Sequence, residues 1–235
     1  MRLKQLLMRC LFFLPFPSYS AAEVIVPPET IPPIDYATPR DERWMVVASG
    51  RAKQIQKNRG GIVVLGDSIA GRWPVPLQEE QFGHRFVNLG IGGDQVENVI
   101  WRMKFYDLAA ADAKAILIIL GTNNLRTEDT PETIFARLET VIAMVREAAP
   151  NTPLLVSEIL PRGKYLKAHD YEIARINHLI NTSGDRMGYQ TLPVHDTIVS
   201  ECSTTERCAL FVDFVHPNDD GYRVIGGVLK EVLNL

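Results

Sequence analysis

The sequence contains little cysteine, and its apolar runs are short. Three cysteines occur among 235 residues, at positions 10, 202 and 208. None of them forms a Cys-x-x-Cys pair or a Cys/His cluster, which are the spacings typical of metal sites. The apolar run LFFLPF at residues 11–16 is too short to span a bilayer. We therefore expect no metal, no cofactor and no stable membrane span.

An excess of either charge is also missing. The 25 basic and 28 acidic residues give a net charge of -3, and no basic stripe is present. This balance argues against nucleic acid as a partner. Apolar residues make up 46% of the chain, enough for a sizeable core, and 235 residues suit one α/β domain better than two.

The N-terminus has the pattern of a secretory signal. Arg2, Lys4 and Arg9 precede the apolar run, and small residues follow at positions 20–22. Residues 1–22 are therefore predicted to be a signal peptide, which implies a secreted or periplasmic protein. The alternative is an N-terminal extension of a cytoplasmic protein. Residues 23–40 contain five prolines and are predicted to form an extended arm, which leaves 41–235 as the folded domain.

The other two cysteines, Cys202 and Cys208, form an even pair close in sequence. In an oxidising compartment such a pair tends to form a disulfide. Two reduced thiols are the alternative.

Short apolar runs alternate with amphipathic segments along the rest of the chain. The runs at residues 62–65, 86–91, 115–120, 154–158 and 191–194 are predicted strands, and several are apolar throughout. Helices are predicted from Asp41 to about Asn58, after Asp94, from Pro131, around residues 173–180 and from near Pro217. Strands apolar on both faces favour a parallel sheet that is covered on both sides. The predicted fold is α/β, a three-layer flavodoxin-like sandwich with a parallel sheet of about five strands.

The first predicted strand runs directly into Gly-Asp-Ser, as IVVLGDS at residues 62–68. Gly66 is expected to allow a sharp turn where the strand ends. The turn places Ser68 at the carboxyl end of a central strand, where open α/β sheets bind their ligands. We therefore interpret Ser68 as a catalytic nucleophile. The alternative is an ordinary turn or helix N-cap.

A base for such a serine is offered by DFVHP at residues 213–217. Asp213 and His216, three residues apart and just before a helix, can fold so that the carboxylate accepts the Nδ1 proton. Nε2 then faces the serine, which is the arrangement of a catalytic triad. The alternative is that Asp213 caps a turn and His216 is an incidental surface residue.

Two further stretches offer donors for an oxyanion. The block NLGIGGD at residues 88–94 places Gly93 just ahead of a predicted helix, where free backbone N–H groups collect. Its spacing does not match the Gly-x-Gly-x-x-Gly of a dinucleotide loop. The block GTNN at residues 121–124 supplies asparagine amides at a strand end, although an ordinary asparagine turn reads the same way.

Together these four blocks resemble, in order and rough spacing, those of the SGNH hydrolases, also called GDSL esterases. The likeness extends to the catalytic subunits of intracellular platelet-activating factor acetylhydrolases through RWM at 43–45, WR at 101–102 and LPRG at 160–163. The resemblance implies Ser68 as nucleophile, His216 as base and Asp213 as the residue that orients it. It implies an oxyanion hole made of the backbone N–H groups of Ser68 and Gly93 and the side chain of Asn123.

The leading hypothesis is a serine esterase that acts on short acyl esters, acetyl first, of a small molecule or a glycan, without metal or cofactor. An acyltransferase that moves the acyl group to a glycan hydroxyl would use the same acyl-enzyme. A non-catalytic module that binds glycans or lipids on the same fold is the alternative from another class. The oligomeric state is left open.

Overall fold

The structure is a computed structural model that describes residues 38–83, 86–202 and 205–235. The predicted signal peptide and all but the last three residues of the predicted arm lie outside these ranges. No helix within the described ranges is both long enough and apolar enough to cross a membrane.

A five-stranded parallel sheet forms the middle layer. Its strands are β1 (Ile62–Gly66), β2 (Phe86–Asn88), β3 (Ala115–Ile119), β4 (Leu154–Ser157) and β5 (Gln190–Leu192). Their order in the sheet is β2-β1-β3-β4-β5, and every neighbouring pair is parallel. Every residue of β1 and β3 is buried, since both strands are covered on two faces.

Helices cover both faces of the sheet. They are α1 (Glu42–Lys57), α2 (Ser68–Gly71), α3 (Val75–Phe82), α4 (Val96–Met103), α5 (Pro131–Ala148), α6 (Asp170–Met187), α7 (His195–Cys202) and α8 (Asp219–Leu233). One apolar core contains buried residues of α1, α4, α5 and α6, and a second contains residues of α2, α3, α7 and α8. The predicted three-layer, flavodoxin-like α/β fold is therefore confirmed.

The region between β2 and α4 differs from the prediction in two ways. The strand stops at Asn88 rather than continuing to Ile91, although the Leu89 and Ile91 N–H groups still donate to the Val64 and Gly66 carbonyls of β1. The Asn88 side chain holds the segment on the other side: its Nδ2 donates to the Ala70 carbonyl, and its Oδ1 accepts from the Gly90 N–H. Asp94 does not cap α4, since Gln95 is the N-cap and Asp94 is fully buried. A helix after Asp94 is confirmed, but its cap was wrongly predicted.

Gly66 serves close packing rather than a turn. It lies within β1, paired with Ile119 of β3. A Cβ at this position would overlap the carbonyl oxygen of Ile119. Glycine is therefore required because the two central strands approach each other closely where the first one ends.

Candidate active site

Three neighbouring strands end beside each other and carry the predicted site residues. Ser68 follows β1, Gly93 follows β2 and Asn123 follows β3. Because the strands are parallel and adjacent, their carboxyl ends meet at one edge of the sheet. Ser68 is the first residue of α2, which begins where the Asp67 carboxylate accepts the Ile69 N–H at 2.8 Å.

A loop from a distant part of the sequence brings His216 and Asp213 to Ser68. The Nε2 atom of His216 lies 3.0 Å from Oγ of Ser68, and its Nδ1 lies 2.8 Å from Oδ2 of Asp213. The other carboxylate oxygen of Asp213 accepts the backbone N–H groups of Val215 and His216 at 2.7 and 2.8 Å. The three side chains therefore form one continuous hydrogen-bonded chain.

The charge on Asp213 determines which groups donate and which accept in these hydrogen bonds. Burial by itself raises the pKa of Asp213, but hydrogen bonds from the His216 ring and from the backbone of His216 and Val215 outweigh it and lower the pKa to about 2. An ionised carboxylate can only accept hydrogen bonds, so Nδ1 of His216 carries the proton. Nε2 then has its lone pair toward Ser68, as a general base requires.

Asp67, next to the serine, has the opposite electrostatic character. It is fully buried, and its Oδ2 has no hydrogen-bond partner among the described residues. Burial, assisted by the nearby charge of Asp94, raises the pKa of Asp67 to about 7, against the opposing effects of the Ile69 N–H, Arg102 and Arg162. Burial thus favours the neutral form of this carboxyl, in contrast to the ionised Asp213.

Gly93 and Asn123, the predicted oxyanion donors, follow β2 and β3 at the edge of the sheet where Ser68 follows β1. Gly93 has φ +79°, a conformation that favours glycine, and a Cβ there would lie 2.9 Å from the Arg40 guanidinium. The Asn123 side chain donates one amide hydrogen to the Asp94 carbonyl at 2.9 Å. A side-chain amide carries two such hydrogens, so this bond uses one of the two.

The neighbouring Asn124 has a different environment. It is fully buried, its Oδ1 accepts the Val96 N–H at the start of α4, and its Nδ2 donates to Glu97 at 3.0 Å. Its hydrogen-bonding groups thus join the loop after β3 to α4, and Asn123 alone of the two lies partly open.

A buried ion pair behind the site was not predicted. Nε of Arg102 lies 2.9 Å from Oδ2 of Asp94, and its terminal nitrogens donate to the carbonyls of Leu89 and Gly66, both at 2.6 Å. The Trp44 indole N–H donates to the second Asp94 oxygen at 2.6 Å. This group, here called the Arg102 cluster, ties the ends of β1 and β2 to α1 and α4. A single arginine on the apolar face of a short helix was the available signal.

The loop that carries Asp213 and His216 is anchored on both sides. Cys202, the last residue of α7, is bonded to Cys208, and both are buried. Within the loop the Val212 N–H donates to the His216 carbonyl at 2.9 Å, and from the segment after β4 the Gly163 N–H donates to the Phe214 carbonyl at 2.7 Å. Across the described ranges, no three His, Cys, Asp or Glu side chains gather closely enough to hold a metal ion.

A serine, a histidine and a carboxylate in hydrogen-bonded sequence, at the carboxyl edge of a parallel sheet, are the arrangement of a serine hydrolase. The model of the GDSL-like Lipase/Acylhydrolase family matches residues 64–224 of this chain. The chain belongs to that family and is a carboxylic ester hydrolase, as the resemblance in sequence implied.

Named proteins and solved structures are also similar to this chain. Subunit alpha2 of human platelet-activating factor acetylhydrolase IB is 26% identical over 198 residues, which cover 82% of this chain and 84% of the relative. A GDSL-like lipase from Bacteroides thetaiotaomicron superposes with a TM-score of 0.64 at 16% identity, covering 82% of this chain and 96% of that one. A variant of an acetyl-xylooligosaccharide esterase from Geobacillus gives 0.60 at 17% identity, with coverages of 76% and 97%. The two structural likenesses show the shared fold.

Proposed function

We propose that this esterase hydrolyses short-chain acyl esters, acetyl esters first, with Ser68 as the nucleophile. The observation that carries the proposal is the hydrogen-bonded chain from Asp213 through His216 to Ser68, with distances of 2.8 and 3.0 Å. A serine hydroxyl is a weak nucleophile unless an oriented base accepts its proton. Here His216 is the base, and Asp213 is the group that orients it.

In the acylation step, Oγ of Ser68 attacks the ester carbonyl while Nε2 of His216 takes the hydroxyl proton. The carbonyl oxygen becomes negative and accepts hydrogen bonds from the backbone N–H groups of Ser68 and Gly93 and from the Asn123 amide. When the tetrahedral intermediate collapses, the bond to the alcohol oxygen breaks and His216 returns its proton to that oxygen. The products are a free alcohol and an acyl-Ser68.

In the deacylation step, a water molecule attacks the acyl carbonyl and gives one proton to His216. Ser68 leaves as the alcohol, takes that proton back, and the carboxylic acid is released. A sugar hydroxyl in place of water would give acyl transfer instead. Ser68 supplies the nucleophile, His216 carries the proton and the three N–H donors stabilise the oxyanion, so neither step calls for a metal or cofactor.

A panel of esters tests this function. Purified protein is assayed with 4-nitrophenyl acetate, butyrate and octanoate, and then with acetylated xylooligosaccharides. Two relatives named for acetyl esters support the expectation that kcat/KM falls as the acyl chain lengthens. Octanoate as the best substrate would contradict a short-chain enzyme. A transferred acyl product in the presence of sugar acceptors would favour the acyltransferase, and inactivity toward every ester would favour a binding module.

Substitution of each of the two adjacent asparagines distinguishes a contribution to catalysis from a contribution to stability. Asn123→Ala is expected to lower kcat about 10²- to 10³-fold, the usual loss for one oxyanion donor. Asn124→Ala leaves the Val96 N–H without its acceptor, so it is expected to lower the free energy of unfolding by about 1–3 kcal/mol with a much smaller effect on the kcat of folded enzyme. Urea unfolding and steady-state kinetics measure both. A larger loss of kcat in Asn124→Ala would reverse the assignment.

We further propose that the protein is exported, since residues 1–22 have the signal pattern and a disulfide suits an oxidising compartment.

The disulfide between Cys202 and Cys208 closes a short loop, which contributes about 2 kcal/mol of stability. The double variant Cys202→Ser/Cys208→Ser is expected to fold, to lose a modest part of its activity and to become more sensitive to protease near residue 208. The mass of exported, alkylated, unreduced protein decides the bond. Two alkylated thiols would refute it.

A further inference from the structure

A cavity of about 440 Å³ opens beside Ser68, and its walls carry an excess of positive charge. Four arginines line it: Arg40, Arg43, Arg51 and Arg72. Asp41 is the one acidic lining residue, and its carboxylate already accepts the Trp44 N–H at 2.8 Å as the cap of α1. The whole sequence has a net charge of -3, so the positive lining of the cavity is opposite in sign to the chain as a whole.

The arginines come from separate elements that converge on the cavity. Arg43 and Arg51 are eight residues apart on α1, about 12 Å along the helix axis, and Val47 lies between them on the same face. Arg72 is the C-cap of α2, four residues after Ser68. The cavity therefore has two arginines from α1 along one wall and Arg72 close to Ser68.

Little of this charge is neutralised by the protein. Arg40 donates to the Gly92 carbonyl at 2.7 Å and lies 3.6 Å from Asp94, a carboxylate that already pairs with Arg102. Arg51 contacts the neutral amide of Gln54 at 3.4 Å. Arg43 and Arg72 are exposed, and no ion pair joins either of them to a carboxylate of the described residues. A cleft lined by one sign of charge raises the local concentration of the opposite ion.

We propose, on the basis of the esterase function above, that this cavity binds an anionic group, a carboxylate or a phosphate, on the alcohol part of the substrate. Guanidinium groups present forked donors that match both anions. An acetyl group has no room for a charged substituent, so the anion belongs to the alcohol. The substrate class is therefore the acetyl ester of an acidic alcohol, such as an acidic sugar or an alcohol phosphate.

Matched pairs of acetyl esters test the charge requirement and separate the two anions. One pair is 1-acetylglycerol 3-phosphate and 1-acetylglycerol; the other is an acetylated methyl glucuronide and its neutral methyl ester. At low ionic strength kcat/KM for acetate release is expected to be about tenfold higher for the charged member of at least one pair. Adding 0.5 M NaCl is expected to reduce that ratio by screening. Equal kcat/KM within both pairs would overturn the proposal.

Variants connect the preference to the arginines. The double variant Arg43→Gln/Arg72→Gln is expected to lower the charged-to-neutral ratio by about three- to tenfold, as two partly exposed contacts allow. Arg59→Gln, an exposed arginine that does not line the cavity, is the matched control and should leave the ratio unchanged. An unchanged ratio in the double variant would overturn the assignment.

Calorimetric titration with glycerol 3-phosphate and with methyl glucuronate gives a readout independent of catalysis. Binding of either anion that the double variant weakens supports the cavity even if none of the esters is hydrolysed. No binding of either anion contradicts it. If charged and neutral esters were hydrolysed equally, and this hydrolysis depended on Ser68, only the proposed anion site would be contradicted. Inactivity toward all esters would contradict the proposed esterase function.

Discussion

Replacing Ser68 with alanine is expected to abolish ester hydrolysis, with a loss of kcat on the order of 10⁶-fold, the size found when a triad nucleophile is removed from a comparable serine enzyme. The physical reason is that no other atom can form the acyl intermediate once Oγ is gone, so His216 has no nucleophile to activate. Residual hydrolysis then depends on water and the oxyanion donors alone. Initial rates with 4-nitrophenyl acetate measure the loss.

The fold is expected to survive this substitution. Ser68 is almost fully buried, its hydroxyl bonds to His216, and alanine keeps the Cβ. Ser183→Ala is a matched control, since Ser183 is similarly buried but lies on α6, away from the site. It should keep wild-type kcat. A Ser68→Ala enzyme with a tenth of wild-type activity would rule out this serine as the nucleophile.

The largest expected change in stability follows replacement of Arg102. Arg102→Met fills most of the volume but leaves the buried Asp94 carboxylate with only Arg40, 3.6 Å away, as a counter-charge, and it removes the donors to the Leu89 and Gly66 carbonyls. Breaking a buried ion pair by removing one partner costs about 3–5 kcal/mol. Urea denaturation measures this as a lower free energy of unfolding. The loop that carries Gly93 should also lose order, because Asp94 follows Gly93 directly.

A double variant distinguishes the missing charge partner from a general loss of packing. In Asp94→Asn/Arg102→Met both charges of the buried ion pair are removed, only the partly exposed Arg40 loses a contact, and the asparagine oxygen can still accept the Trp44 indole N–H. This variant is expected to be more stable than Arg102→Met alone. If it were less stable, the cost would come from lost hydrogen bonds and packing rather than from the unpaired charge of Asp94. Arg223→Ala, on the exposed face of α8, should change stability by only about 0.5 kcal/mol or less.

The layered fold was predictable because its signals are local. Strands β1 and β3 are apolar throughout, which indicates burial on both faces, and Asp41 and Pro131 mark helix starts that the structure confirms. The meeting of Ser68 with His216 is not local, since 148 residues separate them. It was predicted from the spacing of Asp213 and His216 just before the last helix, and from the resemblance of the four sequence blocks to those of the SGNH hydrolases. The catalytic roles themselves stay predictions.

The details that were missed depend on tertiary contacts. The position of Asp94 in the sequence is typical of a helix cap. Only the fold shows that its side chain is buried and hydrogen-bonded to Arg102 and Trp44. Gly66 suggests a turn, but the proximity of the Ile119 carbonyl explains it. Cavity walls assembled from Arg40, Arg43 and Arg72 have no signature along the chain, because such a site exists only once α1 and α2 are placed beside each other.

The outermost strands of the sheet, β2 and β5, have three residues each, fewer than any strand between them. Pro193 follows β5 directly and has no N–H to offer a passing chain. An unpaired strand edge is a template on which another chain can add, and short edges offer few bonds to such an addition. The sheet at whose edge Ser68 lies is thereby a poor template for growth into intermolecular β-aggregates.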